Sequence, residues 1–357
     1  MKKKIFFWLP YTDRILEGLN PPGAIGGANV QLAFWAKYFA EKNWQSYAIT
    51  CYLNSAFRKI FGIKYLYFPE IKHVNFFLQY FQLFYLAIIR PNVVVTRSQN
   101  AFELNLIYNL SKLLKFKLVH TLASDLDVIT DTPNPFLKFQ KTLGKLDYII
   151  AQNEFQQHGF IKNIRRINVP IIPNIFDKNL FLSIEKSQYN FDAIWIGNYR
   201  SVKRPELLIE LARQHPELNF GMIGIEIENG ADKSSKNGAE ELNNLQILGY
   251  RSLFETTIII SQSKVLVCTS LAEGFPNTFL QAWSSNIPVL STVNPNRVIT
   301  TYQLGIIAEN ISELSEGLTK IITNNTYYIE LQHNIRDYFT ITHDPETNFK
   351  VFESYIN

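Results

Sequence analysis

Three short segments of this chain combine groups suited to anions and sugar hydroxyls. The most informative runs from Ser270 to Trp283 and contains Glu273-Gly274-Phe275-Pro276-Asn277, with Gln281 further on. A buried strand over Lys264–Thr269 leads into it, and a helix follows. Pro276 suits the first turn of that helix, whose free amides form an anion site. Glu273, at the strand's carboxyl end, can accept hydrogen bonds from sugar hydroxyls. Gln281, two turns along the helix, can reach another part of the same ligand. Both also have plainer readings, as an acidic residue of a first helical turn and a surface glutamine. The second segment, Trp195 to Leu208, is a strand, a turn at Gly197-Asn198, the cations Arg200, Lys203 and Arg204, and a helix started by Pro205. Cations beside a helix N-terminus suit a diphosphate, with Arg giving bidentate contacts and Lys a point charge. A solvated basic turn is the alternative, and it fits Arg204 better than Lys203. The third segment holds Gly26 and Gly27 after the first strand, where backbone amides can approach a phosphate closely. It does not match G-x-G-x-x-G, so no dinucleotide fingerprint is present.

The elements that must position these groups follow from the pattern of apolar runs. Short apolar runs alternate with helical stretches, the signature of βαβ units and parallel sheets. In the first half, strands are expected over Ile5–Leu9, Ser46–Cys51, Asn92–Thr96, Lys117–Thr121 and Tyr148–Ala151. Helices are expected over Ala28–Lys42, Phe76–Ile89, Ala101–Leu114 and Pro135–Leu143. The polar stretch Asp177–Asn190 reads as a linker. Beyond it come strands at Asp192–Ile196, Leu218–Ile223, Leu245–Leu248, Val265–Thr269 and Pro288–Ser291. Helices lie between them at Pro205–Gln214, Leu253–Ser261 and Asn277–Ser285, and Ile311–Thr323 and Tyr327–Tyr338 close the series. The expected architecture is α/β, with two Rossmann-like, doubly wound domains facing across a cleft and ligands at the strands' carboxyl ends.

Composition sets the class. With 46% hydrophobic and 18% charged residues, the chain can build a large core and is not a disordered protein. Two cysteines, Cys51 and Cys268, make no disulfide framework, and six histidines show no metal-ligand spacing, so a reducing, cytoplasmic setting is expected. The start, Met1 to Pro10, has too short an apolar run for a signal peptide, and Phe76–Ile89 is too short and polar to span a bilayer. Residues 1–180 carry 22 Lys and Arg against 11 Asp and Glu, a charge of +11, whereas residues 181–357 carry −7. Such asymmetry suits a first half facing an anionic partner, or is ordinary surface variation.

Taken together, the three segments resemble a GT-B glycosyltransferase of family four, the retaining group 1 transferases. Glu273 to Asn277 resembles the family's E-G-F-P-N signature, and Ile287-Pro288-Val289-Leu290-Ser291 its G-x-P-V strand. Leu207-Leu208-Ile209-Glu210 resembles the helix after its phosphate-binding Lys. Asp147 to Asn153 and Ile172 to Asp177 resemble its A-D-x-I-I-x-x-S and I-P-N-G-V-D segments. Three positions depart from the family. The paired acids E-x₇-E become Glu273 and Gln281, and Gln281 can still hydrogen-bond a ribose. Asn198 stands at the usual Arg position, and Arg200 is expected to take its role. Where a catalytic-region His is usual, the chain has Ala123-Ser124-Asp125, with His120 earlier, left open between a catalytic and a packing role.

The resemblance implies a metal-independent hexosyl transfer from a nucleotide diphosphate sugar to a glycan or lipid-linked acceptor, with retention of configuration, in cell-surface polysaccharide synthesis. The nucleotide sugar is then a substrate; no cofactor, metal or nucleic acid is expected. Asp125-Leu126-Asp127 spells a D-x-D that could hold a metal. A GT-A fold would leave the second half unexplained, so Asp125 is read as an acceptor-side or hydroxyl-binding group. Glu273, Lys203, Arg200 and Asp125 are the expected catalytic residues. Gly26, Gly27, Gly197, Asn198, Gly274, Phe275, Pro276, Asn277 and Gln281 are expected to bind the donor. An acceptor domain is expected over 1–178, a donor domain over 179–340, and a C-terminal helix over 341–357 that can pack back on the first. The alternatives are a non-catalytic nucleotide-sugar-binding subunit of a transferase complex, or another GT-B enzyme such as a phosphorylase or epimerase. Finally, Phe57 to Phe68 interleaves cations with rings, which suits peripheral binding at the inner face of the cell membrane or simple core packing.

Overall fold

The computed structural model describes residues 2–9, 12–19, 26–52, 54–55, 58–67, 84–97, 100–129, 137–178, 190–197, 199, 201–224, 242–271, 273 and 275–357. The chain divides into two units. The first contains residues 1–21, 25–175 and 345–357, and the second contains 22–24 and 176–344.

The first unit is a seven-stranded sheet in the order β3-β4-β2-β1-β5-β6-β7. Its strands are β1 (Lys4–Trp8), β2 (Gln45–Thr50), β3 (Lys59–Ile60), β4 (Ile63–Tyr67), β5 (Val93–Thr96), β6 (Lys117–Thr121) and β7 (Tyr148–Ile150). All neighbours are parallel except β3 and β4. β1 and β5 read as continuous apolar runs because both faces are covered; Phe6, Trp8 and Val94 join one core with Leu104, Ile107 and Phe160. Helix boundaries follow local chemistry. Asn100 caps Ala101–Leu114 by accepting from Glu103 N at 2.9 Å, and Lys115 in the left-handed region ends it. The helix Pro345–Ile356 packs on this unit through Phe352, which meets Trp35 and Phe39 edge-on at 5.1 and 5.2 Å.

The second unit is a six-stranded, fully parallel sheet in the order β10-β9-β8-β11-β12-β13. Its strands are β8 (Phe191–Ile196), β9 (Phe220–Ile223), β10 (Leu245–Gly249), β11 (Ser263–Cys268), β12 (Val289–Ser291) and β13 (Gly305–Ile307). The helix Leu253–Ser261 opens with a reciprocal capping box between Ser252 and Glu255, and Pro205 sets the first turn of Pro205–Gln214.

Several elements differ from the sequence expectation. Residues 58–67 form the β3–β4 hairpin, with Ile60, Ile63 and Tyr65 buried and Arg58, Lys59, Phe61 and Lys64 exposed. β13 was not expected; it approaches β12 so closely that a Cβ on Gly305 would lie 1.9 Å from the Val289 carbonyl oxygen. The helix Glu154–Asn163 is polar enough to lack a clear period, and the last helix before residue 345 runs further than expected, over Asn325–Thr342. The expected helix Phe76–Ile89 is described only over 84–89, which is helical. Most of the linker Asp177–Asn190 lies outside the described residues. Among the described residues, no helix is long and apolar enough to cross a membrane.

Candidate donor site in the second unit

In each sheet, strand order reverses once, and such reversals leave a crevice at the carboxyl ends of two neighbouring strands. In the second unit the reversal lies between β8 and β11. The two segments singled out by the sequence begin at the ends of these two strands, and the structure brings Lys203 and Glu273 into direct contact. Glu273 Oε1 accepts from Lys203 Nζ and, at 2.7 Å, from Ser270 Oγ. The Lys203 and Glu273 side chains are 28% and 16% exposed, so the pair is open to a ligand.

The pair is built by a dense set of bonds behind it. Thr269, one residue past β11, accepts from the Trp195 indole at 2.9 Å and donates to the Lys203 carbonyl at 2.6 Å. Arg204 returns a bond from its Nε to the Thr269 carbonyl at 2.6 Å, and Leu271 N donates to Val202 O at 2.8 Å. These contacts tie the 3₁₀ turn Ser201–Lys203 to the end of β11. Arg204 is therefore bonded to backbone rather than solvated, which corrects the plainer reading of that residue. Cys268 donates to Ser270 Oγ at 3.7 Å, and burial pushes its thiol pKa up, keeping the proton available for that bond. Gly197 N bonds Ile223 O, and the Gly197 carbonyl lies where a Cβ of Gly224 would be, 1.7 Å away. The strand ends therefore meet at a glycine by necessity.

Other expected donor residues fall in distinct places. Pro276 is the N-cap of the helix Asn277–Ser284, so it precedes the first helical turn that it was expected to occupy. Phe275 sets its ring against Trp283 and His343, at 6.1 and 5.5 Å, anchoring the loop to the unit's aromatic core. Gln281 is 3% exposed, and its amide donates to Thr257 Oγ1 at 2.9 Å, so it is not a surface glutamine. Asn198, Arg200 and Gly274 lie outside the described residues. Ser270 and Thr269 carry the site's geometry without having been singled out; their signal was two hydroxyls in the step between a buried strand and an acid.

The first unit holds the remaining candidates. Gly26, exposed, is the N-cap of Gly27–Glu41, and Gly27 is its first residue. Asp125 opens a 3₁₀ turn and accepts from Gln156 Nε2 at 3.0 Å and Asn153 Nδ2 at 3.3 Å. Asp127 turns the other way and accepts from the amides of Ala123 and Ser124 at 2.8 and 3.0 Å. Burial raises its pKa above the usual carboxylate value, with these bonds opposing the rise. His120 is buried in β6 with Nδ1 2.9 Å from Thr96 Oγ1; burial first, and the Arg97 charge second, lower its pKa to about 3.

Residues 179–340 match the model of the family described as glycosyl transferases, group 1. The matched region covers the whole Lys203–Glu273 site. An uncharacterized glycosyltransferase of Methanocaldococcus jannaschii is 23% identical over 212 residues, which span 57% of this chain and 57% of that protein. The sucrose-phosphate synthase of Thermosynechococcus elongatus superposes with a TM-score of 0.77 at 14% identity, covering 99% of this chain and 98% of the other. HepE of Anabaena, in complex with UDP-glucose, superposes with a TM-score of 0.72 at 16% identity and 98% coverage of both. These likenesses establish the fold class as GT-B.

Proposed function

We propose that this protein transfers a sugar from a nucleotide diphosphate donor to a glycan or lipid-linked acceptor, with retention of configuration. The observation that carries this reading is the Lys203–Glu273 pair at the β8–β11 switch point, within the region that matches the group 1 model. A diphosphate entering that crevice takes up Lys203, and Glu273 is then free to accept from hydroxyls of the donor sugar. Lys203, Arg200 and helix amides stabilise the charge that grows on the departing diphosphate, an electrostatic task like that of an oxyanion hole. Gly26 has negative φ and its Cβ would meet only an ordinary contact at 3.5 Å, so no described residue demands glycine there; approach of a phosphate would.

In this reading the second unit binds the donor, the first binds the acceptor through groups such as Asp125, and neither metal nor cofactor takes part. The amide nitrogen of Gln281 is already bonded to Thr257, so the nucleotide's ribose depends more on other groups. The same observation favours the second reading, a non-catalytic nucleotide-sugar-binding subunit. The two are separated by incubating the protein with a panel of nucleotide sugars and following release of nucleoside diphosphate. Slow release, absent from Glu273→Ala, supports the transferase. Binding without any release supports the subunit. The cytoplasmic face of the membrane and cell-surface polysaccharide synthesis complete the proposal, motivated by the basic first half and the exposed face of the β3–β4 hairpin.

A further inference from the structure

The first unit has its own switch point, between β1 and β5. The first residue past β5 is Arg97, which is 4% exposed. Among the described residues it forms one hydrogen bond, from Nη2 to Asn174 Oδ1 at 3.1 Å, and its buried Nε has no partner there. Among the described residues, no carboxylate lies within ion-pair distance of it. Asp127 acts on it only through space, its Oδ2 being bonded to the amides of Ala123 and Ser124. Beside it, His120 Nε2 is likewise buried and unpartnered.

A guanidinium offers five donors in a rigid plane, and burying it with one bond made is unfavourable. Replacing such a group by an apolar side chain of similar volume is often neutral or stabilising, so stability does not account for it. Its planar fork matches a carboxylate or a phosphate, and the crevice where it stands is where α/β sheets take their ligands. We propose that Arg97 is the specificity-determining residue of the first unit, receiving an oxyanion, carboxylate or phosphate, carried by the acceptor, with Asn174 fixing the plane of the guanidinium. The inference rests on the first unit being the acceptor side. It makes the acceptor acidic, in keeping with the +11 charge of residues 1–180.

The test is thermal melting of the full chain with methyl glucuronide, glycerol phosphate or neutral methyl glucoside at matched ionic strength. Wild type is expected to gain melting temperature with one of the anions and not with the glucoside; which anion protects identifies the source of the oxyanion. Arg97→Met is expected to lose that gain while melting at or above the wild-type temperature alone, and Arg97→Lys to keep part of it. Equal protection of wild type and Arg97→Met, protection of neither, or an Arg97→Met chain that melts well below wild type overturns the proposal. Nucleoside diphosphates in the same assay report on the second unit separately. If none protects wild type, the transferase reading fails while the Arg97 result stands on its own.

Discussion

Glu273 is held by two donors of different kinds, and its replacement separates chemistry from folding. Its side chain lies in a loop beyond β11 and fills no core position, so Glu273→Ala is expected to melt near the wild-type temperature while turnover falls by orders of magnitude. A variant of normal activity, or one that does not fold, contradicts the role. His120 gives a second test at this scale, through pH. Its native pKa is near 3 against an ordinary 6.5, so below pH 6.5 the unfolded chain takes up a proton that the native one does not. Stability contributed by keeping His120 neutral is therefore lost as pH falls from about 6.5 toward 3, by up to about 1.4 kcal/mol per unit. His120→Gln is expected to flatten the acid side of the stability curve between pH 6.5 and 4.5, measured by urea unfolding. An unchanged slope shows that other groups set the acid limit.

At the scale of elements, the site exists because a 3₁₀ turn is stapled to a strand end. Thr269→Val removes the hydroxyl shared by the Trp195 indole and the Lys203 carbonyl, leaving both without that partner. A buried donor left unmade costs about 1–3 kcal/mol, so the denaturation midpoint is expected to fall accordingly, with nucleotide affinity falling further because Lys203 is no longer fixed. A midpoint shift without any change in affinity shows that the staple serves the core alone. The sequence made the strand–turn–helix steps around Lys203 and Glu273 legible, since helices such as Pro205–Gln214 and Leu253–Ser261 start at proline or a serine cap. β13 was hidden by being three residues long and beginning with glycine. The β3–β4 hairpin was hidden because its cations and rings masked the inward alternation of Ile60, Ile63 and Tyr65. For Gln281, helical spacing gives the position but not which way its amide bonds. Arg97 gave no signal of its own, because a single cation after a buried strand becomes telling only once the strand order is known.

For the whole molecule, charge and surface act together. The exposed edge of the first unit carries Arg58, Lys59 and Lys64 around Phe61, which is 45% exposed at the hairpin turn. Rings at headgroup depth and cations worth about 1 kcal/mol each near an anionic surface would dock this edge on a membrane. Flotation with anionic liposomes is expected at low salt and lost at high salt, and Lys59→Glu with Lys64→Glu is expected to abolish it. A chain that stays in the soluble fraction at low salt removes the membrane from the account and leaves the chemistry untouched.

The central claim is that the second unit holds a nucleoside diphosphate through Lys203. It is tested most directly by calorimetric titration of UDP, GDP, ADP and dTDP, each with its monophosphate, into wild type and Lys203→Ala. A charge-assisted contact of about 1.5–3 kcal/mol corresponds to a factor of about 10 to 150 in affinity. One diphosphate is expected to bind wild type well above its monophosphate, and Lys203→Ala to lose affinity by that factor. Equal binding by wild type and Lys203→Ala, or no binding of any diphosphate, would contradict the account.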